Sequence, residues 1–292
     1  MAATTHTSEP AREREECATP VRAIENGTDK RTAAGRVLSL LGAFGACGGA
    51  LTLSEISRHA KLSMTTTHRL VHEVLDWGGL EVDPDGKYRL SRTFLLLAST
   101  STRGLGLRER ALPHLVDLHR ATGLTVHLAA RDRETGIYLE ALRAHPNYTG
   151  ENRIGGRLPL HATATGQVML AFAPEPVVQS YVSAPLKRYT DETITEPDAL
   201  LEQLAEIRRR KYLIAGAWLA PNAGSVAAPV FNPDGTVDTA VGVVYLLDQH
   251  DPNRCLDLVR MAARRITNAL AEGDDRLDPR TIDFNRRRAG LI

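Results

Sequence analysis

At about 100° per residue of an α-helix, the stretch from Leu62 to Gly79 separates into two faces. Met64, Thr67, Leu70, Val71, Val74, Leu75 and Trp77 fall on one. Thr65, Thr66, Arg69, His72, Glu73 and Asp76 fall on the other, with His68 at the border. Ser63 suits an N-cap and Gly78-Gly79 a stop. Upstream, Val37, Leu38, Leu41 and Phe44 recur at helical spacing until the glycines around Gly45–Gly49. Thr52 and Glu55 then form a capping box ahead of Ile56 and Ala60. Lys61-Leu62-Ser63 is a break of the length found in a helix-turn-helix turn. Downstream, Leu80-Glu81-Val82 and Lys87-Tyr88-Arg89-Leu90 alternate around Asp83-Pro84-Asp85-Gly86, which predicts a hairpin. Three helices and a hairpin make a winged helix-turn-helix over residues 31–92. Residues 93–106 read as a linker helix, and Arg103-Gly104-Leu105-Gly106 punctuates its end.

From residue 107 to 272 the rhythm alternates between helix and strand. Helices are predicted from Leu107 to Thr122, through Phe172 after a lead-in over Leu158–Gln167, near Pro174, from Glu196 to Lys211, and after Pro252. Strands are predicted at Leu124–Arg131, Gly136–Leu142, Tyr212–Leu219, Ser225–Phe231 and Val237–Leu247, with Ala144 to Arg157 as a loop. Antiparallel strands with helices around them give an α+β domain. Residues 1–30 and 273–292 lack hydrophobic periodicity and read as a disordered tail and a polar tail.

Charge sharpens this division. Residues 1–29 carry three basic and six acidic side chains, and residues 30–92 carry nine and six. The first folded segment is therefore mildly basic, which suits a polyanionic partner. Three dispersed cysteines make neither a disulfide framework nor a zinc pattern, so a reducing cytoplasm is expected. No apolar run reaches the length of a membrane span, and no membrane partner is expected.

The polar start of the Leu62–Gly79 helix is the leading chemical candidate. Short hydroxyls and an arginine hydrogen-bond to phosphates and base edges. Thr65, Thr66 and Arg69 are expected in the major groove, with Thr67, His68 and His72 beside them. Ser63 and Thr52 are expected to hold phosphates at the helix starts, and Lys87 and Arg89 to follow the backbone or minor groove. The plain alternative is a solvated helix face. His68, His72 and Glu73 have metal-ligand spacing, but no third ligand matches, so no metal is expected. The chain holds no nucleophile elbow, phosphate-binding glycine loop or zincin motif, and neither catalysis nor a cofactor is expected. His161 could act as a base or hold its loop in place, and His127 reads as core or pocket wall. A ligand-binding domain with residual hydrolase activity and a winged helix acting as a protein adaptor are the rival readings.

The chain resembles the IclR family of bacterial transcriptional regulators over about residues 32–272. In the first domain the likeness rests on Gly35–Leu41, Leu53–Ser57, Thr66–Leu70 and Gly86–Leu90. In the second it rests on Arg157–Gly166 and Val226–Gly235. The resemblance implies an N-terminal winged helix-turn-helix, a linker helix and a GAF-like effector-binding domain. It also implies homodimers, and often dimers of dimers, on a palindromic operator. It assigns the effector pocket to Ala164, Thr165, Ala215, Ser225, Gly242 and Val244, with His127 and His161 near enough to donate hydrogen bonds. Members that sense small oxoacids carry an acid and other polar groups where this chain has Ala215, Gly242 and Val244. Gly166-Gln167 also stands where Gly-Lys is frequent. A larger effector, neutral or mostly apolar, is therefore expected, with Gly242 giving it space. A repressor is the expected sign of regulation.

Overall fold

The computed structural model describes residues 32–272 apart from 48, 100–101 and 145–153. The two predicted tails, with the Arg286–Arg288 run, and most of the Ala144–Arg157 loop lie outside the described residues. The chain divides into two compact units between Leu96 and Leu97.

The first unit contains α1 (Ala33–Cys47), α2 (Leu53–Ala60), α3 (Met64–Asp76), β1 (Leu80–Val82) and β2 (Tyr88–Leu90). At the head of α2 the Thr52 hydroxyl accepts from the Glu55 backbone N–H at 3.3 Å. The Glu55 carboxylate accepts from the Thr52 backbone N–H at 2.8 Å. That backbone donor, followed by the Thr52 hydroxyl, holds the Glu55 carboxyl below the usual carboxylate range. Lys61 closes α2 in the left-handed region at φ 53°, and Ser63 caps α3 by accepting from Thr66 N–H at 3.3 Å. Leu40, Phe44, Ile56, Leu70, Val71, Val74 and Leu80 close the core. β1 and β2 pair antiparallel, and Leu51 exchanges two 2.8 Å backbone bonds with Tyr88, so the wing is tied to the segment before α2. Met64 and Trp77, expected on the buried face, are 47% and 53% exposed because each lies at an end of α3.

The linker differs from the expectation. α4 spans Thr93–Ser99, and a separate α5 runs Thr102–Thr122 through both predicted punctuating glycines and Pro113. Packing prevails over local propensity here: Ala111, Leu115 and Leu118 of α5 are buried in a core of the second unit.

In that second unit β3 (Thr125–Asp132), β4 (Thr135–Leu142), β5 (Arg157–Pro159), β6 (Leu213–Gly216), β7 (Ala223–Val230) and β8 (Thr239–Leu246) form one antiparallel sheet, in the order β5-β4-β3-β8-β7-β6. α6 (Ala164–Ala171), α7 (Glu175–Ser183), α8 (Pro197–Arg210) and α9 (Asn253–Ala271) complete it. Alternation along the strands builds two cores. Val126, Leu128, Val226, Ala228, Val241 and Val243 pack with α5 and α9. Ala129, Tyr138, Ala215, Ala227 and Ala240 pack with α6, α7 and α8. β5, missed in the sequence, is a three-residue edge strand ending in a proline.

Candidate functional site

Two places carry the chemistry expected of the chain: the outer face of α3 in the first unit and a cavity against the sheet in the second. On α3, Ser63, Thr65, His68, Arg69 and His72 are exposed, as are Lys87 and Arg89 in the wing; Thr66 is half-buried. The core contacts of Leu70, Val71 and Val74 fix this face outward. Arg69 pairs with Glu73 one turn along, and Arg89 Nε lies 2.8 Å from Glu81 across the hairpin. His72 Nδ1 donates to the His68 carbonyl at 2.9 Å, and the two rings sit 4.3 Å apart. Among the described residues no group of three or more His, Cys, Asp or Glu side chains could hold a metal ion.

Two expected DNA contacts are corrected. Thr67 is fully buried, and its hydroxyl donates to the Ser63 carbonyl at 2.9 Å, so it belongs to the core. Thr52 spends its hydroxyl and its amide on Glu55, whose carboxylate already occupies the start of α2. A phosphate there would meet that negative charge.

The cavity lies between the sheet face that carries α6 and the residues leading into that helix. Its volume is about 70 Å³. The sheet supplies it by register: Ala215 pairs with Ser225, Ser225 with Val244, and Gly242 with His127. Ala162, Thr163, Ala164 and Thr165 enter from the α6 side, and Tyr138 and Trp218 also line it. All six positions assigned by resemblance line the cavity, as does His127. Alternation along β4 could have flagged Tyr138; Trp218 lies beyond β6 and left no periodic signal.

α6 is positioned by a tight cap. Thr163 accepts from Gly166 N–H at 3.1 Å and donates to the Pro159 carbonyl at 2.9 Å. The buried Gln167 Nε2 donates to the His161 carbonyl at 2.6 Å, tying the preceding loop to the helix. Gly242 does not leave the space expected of it. A Cβ there would lie 2.8 Å from the Val226 carbonyl oxygen and 3.0 Å from Thr165 Cγ2. The glycine instead lets α6 approach the sheet.

His161 is not a cavity residue, which corrects its assignment. Nε2 lies 2.9 Å from the Lys187 carbonyl, and Nδ1 lies 2.7 Å from the Tyr181 hydroxyl. A carbonyl only accepts, so Nε2 carries the proton and Nδ1 accepts from the tyrosine. Burial lowers the His161 pKa against the opposing Lys187 bond, and burial pushes the Tyr181 hydroxyl up to about 12. The ring is satisfied on both sides and fixes its loop. His127, by contrast, is 3% exposed, and its Nε2 has no hydrogen-bond partner. Its pKa falls to about 4, chiefly through burial and then through the charge of Arg143.

Comparison with known proteins meets both sites. The IclR helix-turn-helix domain matches residues 33–84, and the bacterial transcriptional regulator IclR C-terminal domain matches residues 99–268. The chain belongs to the IclR family. This IclR-family member is a DNA-binding transcriptional regulator with a C-terminal effector-binding domain. It is 30% identical over 245 residues to the HTH-type transcriptional regulator BhcR of Paracoccus denitrificans, covering 82% of this chain and 88% of that one. It is 29% identical over 218 residues to the HTH-type transcriptional regulator XynR of Escherichia coli, covering 74% and 86%. An IclR homologue from Microbacterium hydrocarbonoxydans, complexed with 4-hydroxybenzoate, superposes with a TM-score of 0.78 at 33% identity over 83% of this chain and all of that one.

Proposed function

We propose that this regulator acts in the cytoplasm as a repressor, that it binds a palindromic operator as a homodimer, and that a compact, uncharged effector in the sheet cavity alters that binding. The outward polar face of α3, held by a capped helix pair and flanked by a wing that presents Lys87 and Arg89, carries the operator part. Thr65, Thr66 and Arg69 face the bases in this reading. Ser63, His68, His72, Lys87 and Arg89 serve the backbone and groove edges. Arg69 exchanges Glu73 for DNA on binding. Arg69→Ala is expected to weaken binding by about 1–3 kcal/mol, roughly 5- to 150-fold. Gel shifts across a genomic library, followed by footprinting on the best fragment, measure this; a wild-type protein with no preferred site would defeat the regulator reading for this helix.

An operator with two-fold symmetry needs a two-fold protein. In the first unit Leu38, Leu95 and Leu96 are 61%, 66% and 65% exposed, and a second copy covering them would account for these apolar side chains. Phe94 and Val37, from the same two helices, are half-buried, and Phe94 packs edge-on against Trp77. Light scattering at micromolar concentration is expected to give a dimer, and Leu95→Asp with Leu96→Asp a monomer; a monomeric wild type would remove this part.

No lining residue among those described carries a formal charge, and burial keeps His127 neutral, which supports an uncharged effector. The ring in the ligand of the Microbacterium neighbour supports an aromatic body. The cavity volume favours a compact molecule over the larger one expected from Gly242. Ala215→Asp would set a carboxylate among apolar walls. It is expected to weaken an uncharged aromatic ligand by at least about tenfold, the fold-change of 1.4 kcal/mol, and to leave operator affinity unchanged. Calorimetry showing that pyruvate or glyoxylate binds wild type and phenols do not would reverse the assignment.

A further inference from the structure

We infer that Trp218, carried on the connection between β6 and β7, is a movable wall that sets which ligands the cavity admits, and that the Thr193 hydroxyl is its catch. The inference rests on the reading of the cavity as the effector site and names the element that opens it.

Size makes a movable wall necessary. An apolar cavity of about 150 Å³ holds benzene, and this one measures about 70 Å³. An aromatic body therefore enters only if one side gives way. Two sides are fixed. β3, β4, β7 and β8 are each paired on both edges within the sheet. The start of α6 is capped by Thr163, and it lies so close to β8 that a Cβ on Gly242 would sit 3.0 Å from Thr165 Cγ2. The third side differs. Trp218, Leu219 and Ala220 line the cavity from a stretch that belongs to no strand or helix. It leaves the β6–β7 ladder after the Gly216–Gly224 pair, and Leu219 to Asn222 are exposed, so it has solvent to swing into.

The two ends of that stretch are held differently. At the far end the Leu247 amide donates to the Asn222 carbonyl at 3.1 Å, a backbone tether to the end of β8. At the near end Ala217 sits in the left-handed region at φ 58°, which a residue with a Cβ seldom adopts. Such a conformation persists only where its surroundings enforce it, and it recurs at switch segments and ligand clamps. Here the enforcing groups come from the loop between α7 and α8. Thr190 Oγ1 donates to the Ala217 carbonyl, and Thr193 Oγ1 donates to the Trp218 carbonyl at 2.6 Å. Thr193 is buried, and its oxygen also accepts from the Tyr189 and Thr190 amides at 3.1 and 2.8 Å. One buried hydroxyl thus joins the wall to the neighbouring loop. Strain at Ala217 favours release, and side-chain bonds to two carbonyls oppose it.

Trp77 and Trp218 are the chain's two tryptophans, so full-length Trp77→Phe keeps Trp218 as the reporter. The test mixes this parent protein with toluene in stopped flow and follows Trp218 emission. Binding scales with the fraction of molecules whose wall stands open. Thr193→Val keeps the shape of the side chain and removes the catch, and association should quicken by at least about fivefold, the usual worth of one hydrogen bond. Ala217→Gly removes the strain and should slow association by about two- to fivefold. The opposite signs separate a strained wall from a loop that any change loosens. By calorimetry, Trp218→Ala should gain indole binding that the parent lacks. Toluene binding at one rate in all three proteins, or faster in both Thr193→Val and Ala217→Gly, overturns the inference while leaving the cavity as a ligand site. Absence of toluene binding to the parent and to Thr193→Val, together with absence of indole binding to Trp218→Ala, removes the cavity reading and the inference with it. Should Thr193→Val not fold, Ala217→Gly decides: slower entry supports the wall, and unchanged or faster entry overturns it.

Discussion

Gly166→Ala is expected to destabilise the second unit by about 3–4 kcal/mol, combining overpacking with the loss of a helix cap. A Cβ at Gly166 would lie 2.4 Å from Thr163 Oγ1, 2.6 Å from the Leu160 carbonyl oxygen and 2.7 Å from Leu160 Cα. Two of those three atoms are backbone and cannot swing aside. The third is the hydroxyl that caps α6, so relieving the clash breaks the bond from Gly166 N–H to Thr163. Thr163, Ala164 and Thr165 all line the cavity, so the same displacement deforms the ligand site. For a unit of this size the melting temperature should fall by roughly 6–16 °C. Gly106→Ala is the matched control. It lies within α5, and its added Cβ meets nothing within 4 Å. There the substitution should be neutral or stabilise by up to about 1 kcal/mol, because alanine is the better helix former. Thermal melts followed by circular dichroism compare the two; a Gly166→Ala melt within about 2 °C of wild type would contradict the packing described for α6.

The first unit was legible because its signals are local. One buried stripe, a capping box and a hairpin turn each declare themselves within a few residues. Thr67 misled in its chemistry, not in its position. It lies on the apolar face of α3, and its hydroxyl is spent on the Ser63 carbonyl, which a list of hydroxyl residues near a helix start does not reveal. The start of α5 was hidden for a related reason: glycine and proline mark breaks, yet packing carries the helix through them. The cavity was least visible. Ser225 and Val244 are 19 positions apart in sequence, and Gly242 is far from His127, but pairing of β7 with β8 and of β8 with β3 makes them neighbours. No local pattern carries that strand order, so resemblance alone gathered those positions. Resemblance then could not say that Gly242 serves the packing of α6, nor that His161 faces Tyr181 and Lys187 instead of the cavity.

Acidification should weaken the second unit through the same two histidines. Both are held neutral mainly by burial, His127 at about 4 and His161 also below its ordinary value. An unfolded histidine titrates near 6.5. Between the two values the unfolded chain binds protons that the folded chain refuses, so stability rises with pH across that window. The contribution is whole above about 6.5 and is lost as pH falls towards the folded values. For His127 the gap corresponds to about 3 kcal/mol, roughly a fifth to three fifths of a typical domain's total stability. Carboxylates such as Glu55, whose pKa is also lowered, add their own loss at the acid end, so the wild-type profile alone does not isolate the histidine. The difference between wild type and His127→Phe does. Urea unfolding at pH 7.5 and pH 4.5 should show the wild type losing about 2–3 kcal/mol more than the variant over that interval. Parallel profiles would mean that the folded protein accepts a proton on His127 at ordinary cost, and that the ring is not sealed against the sheet as its 3% exposure requires.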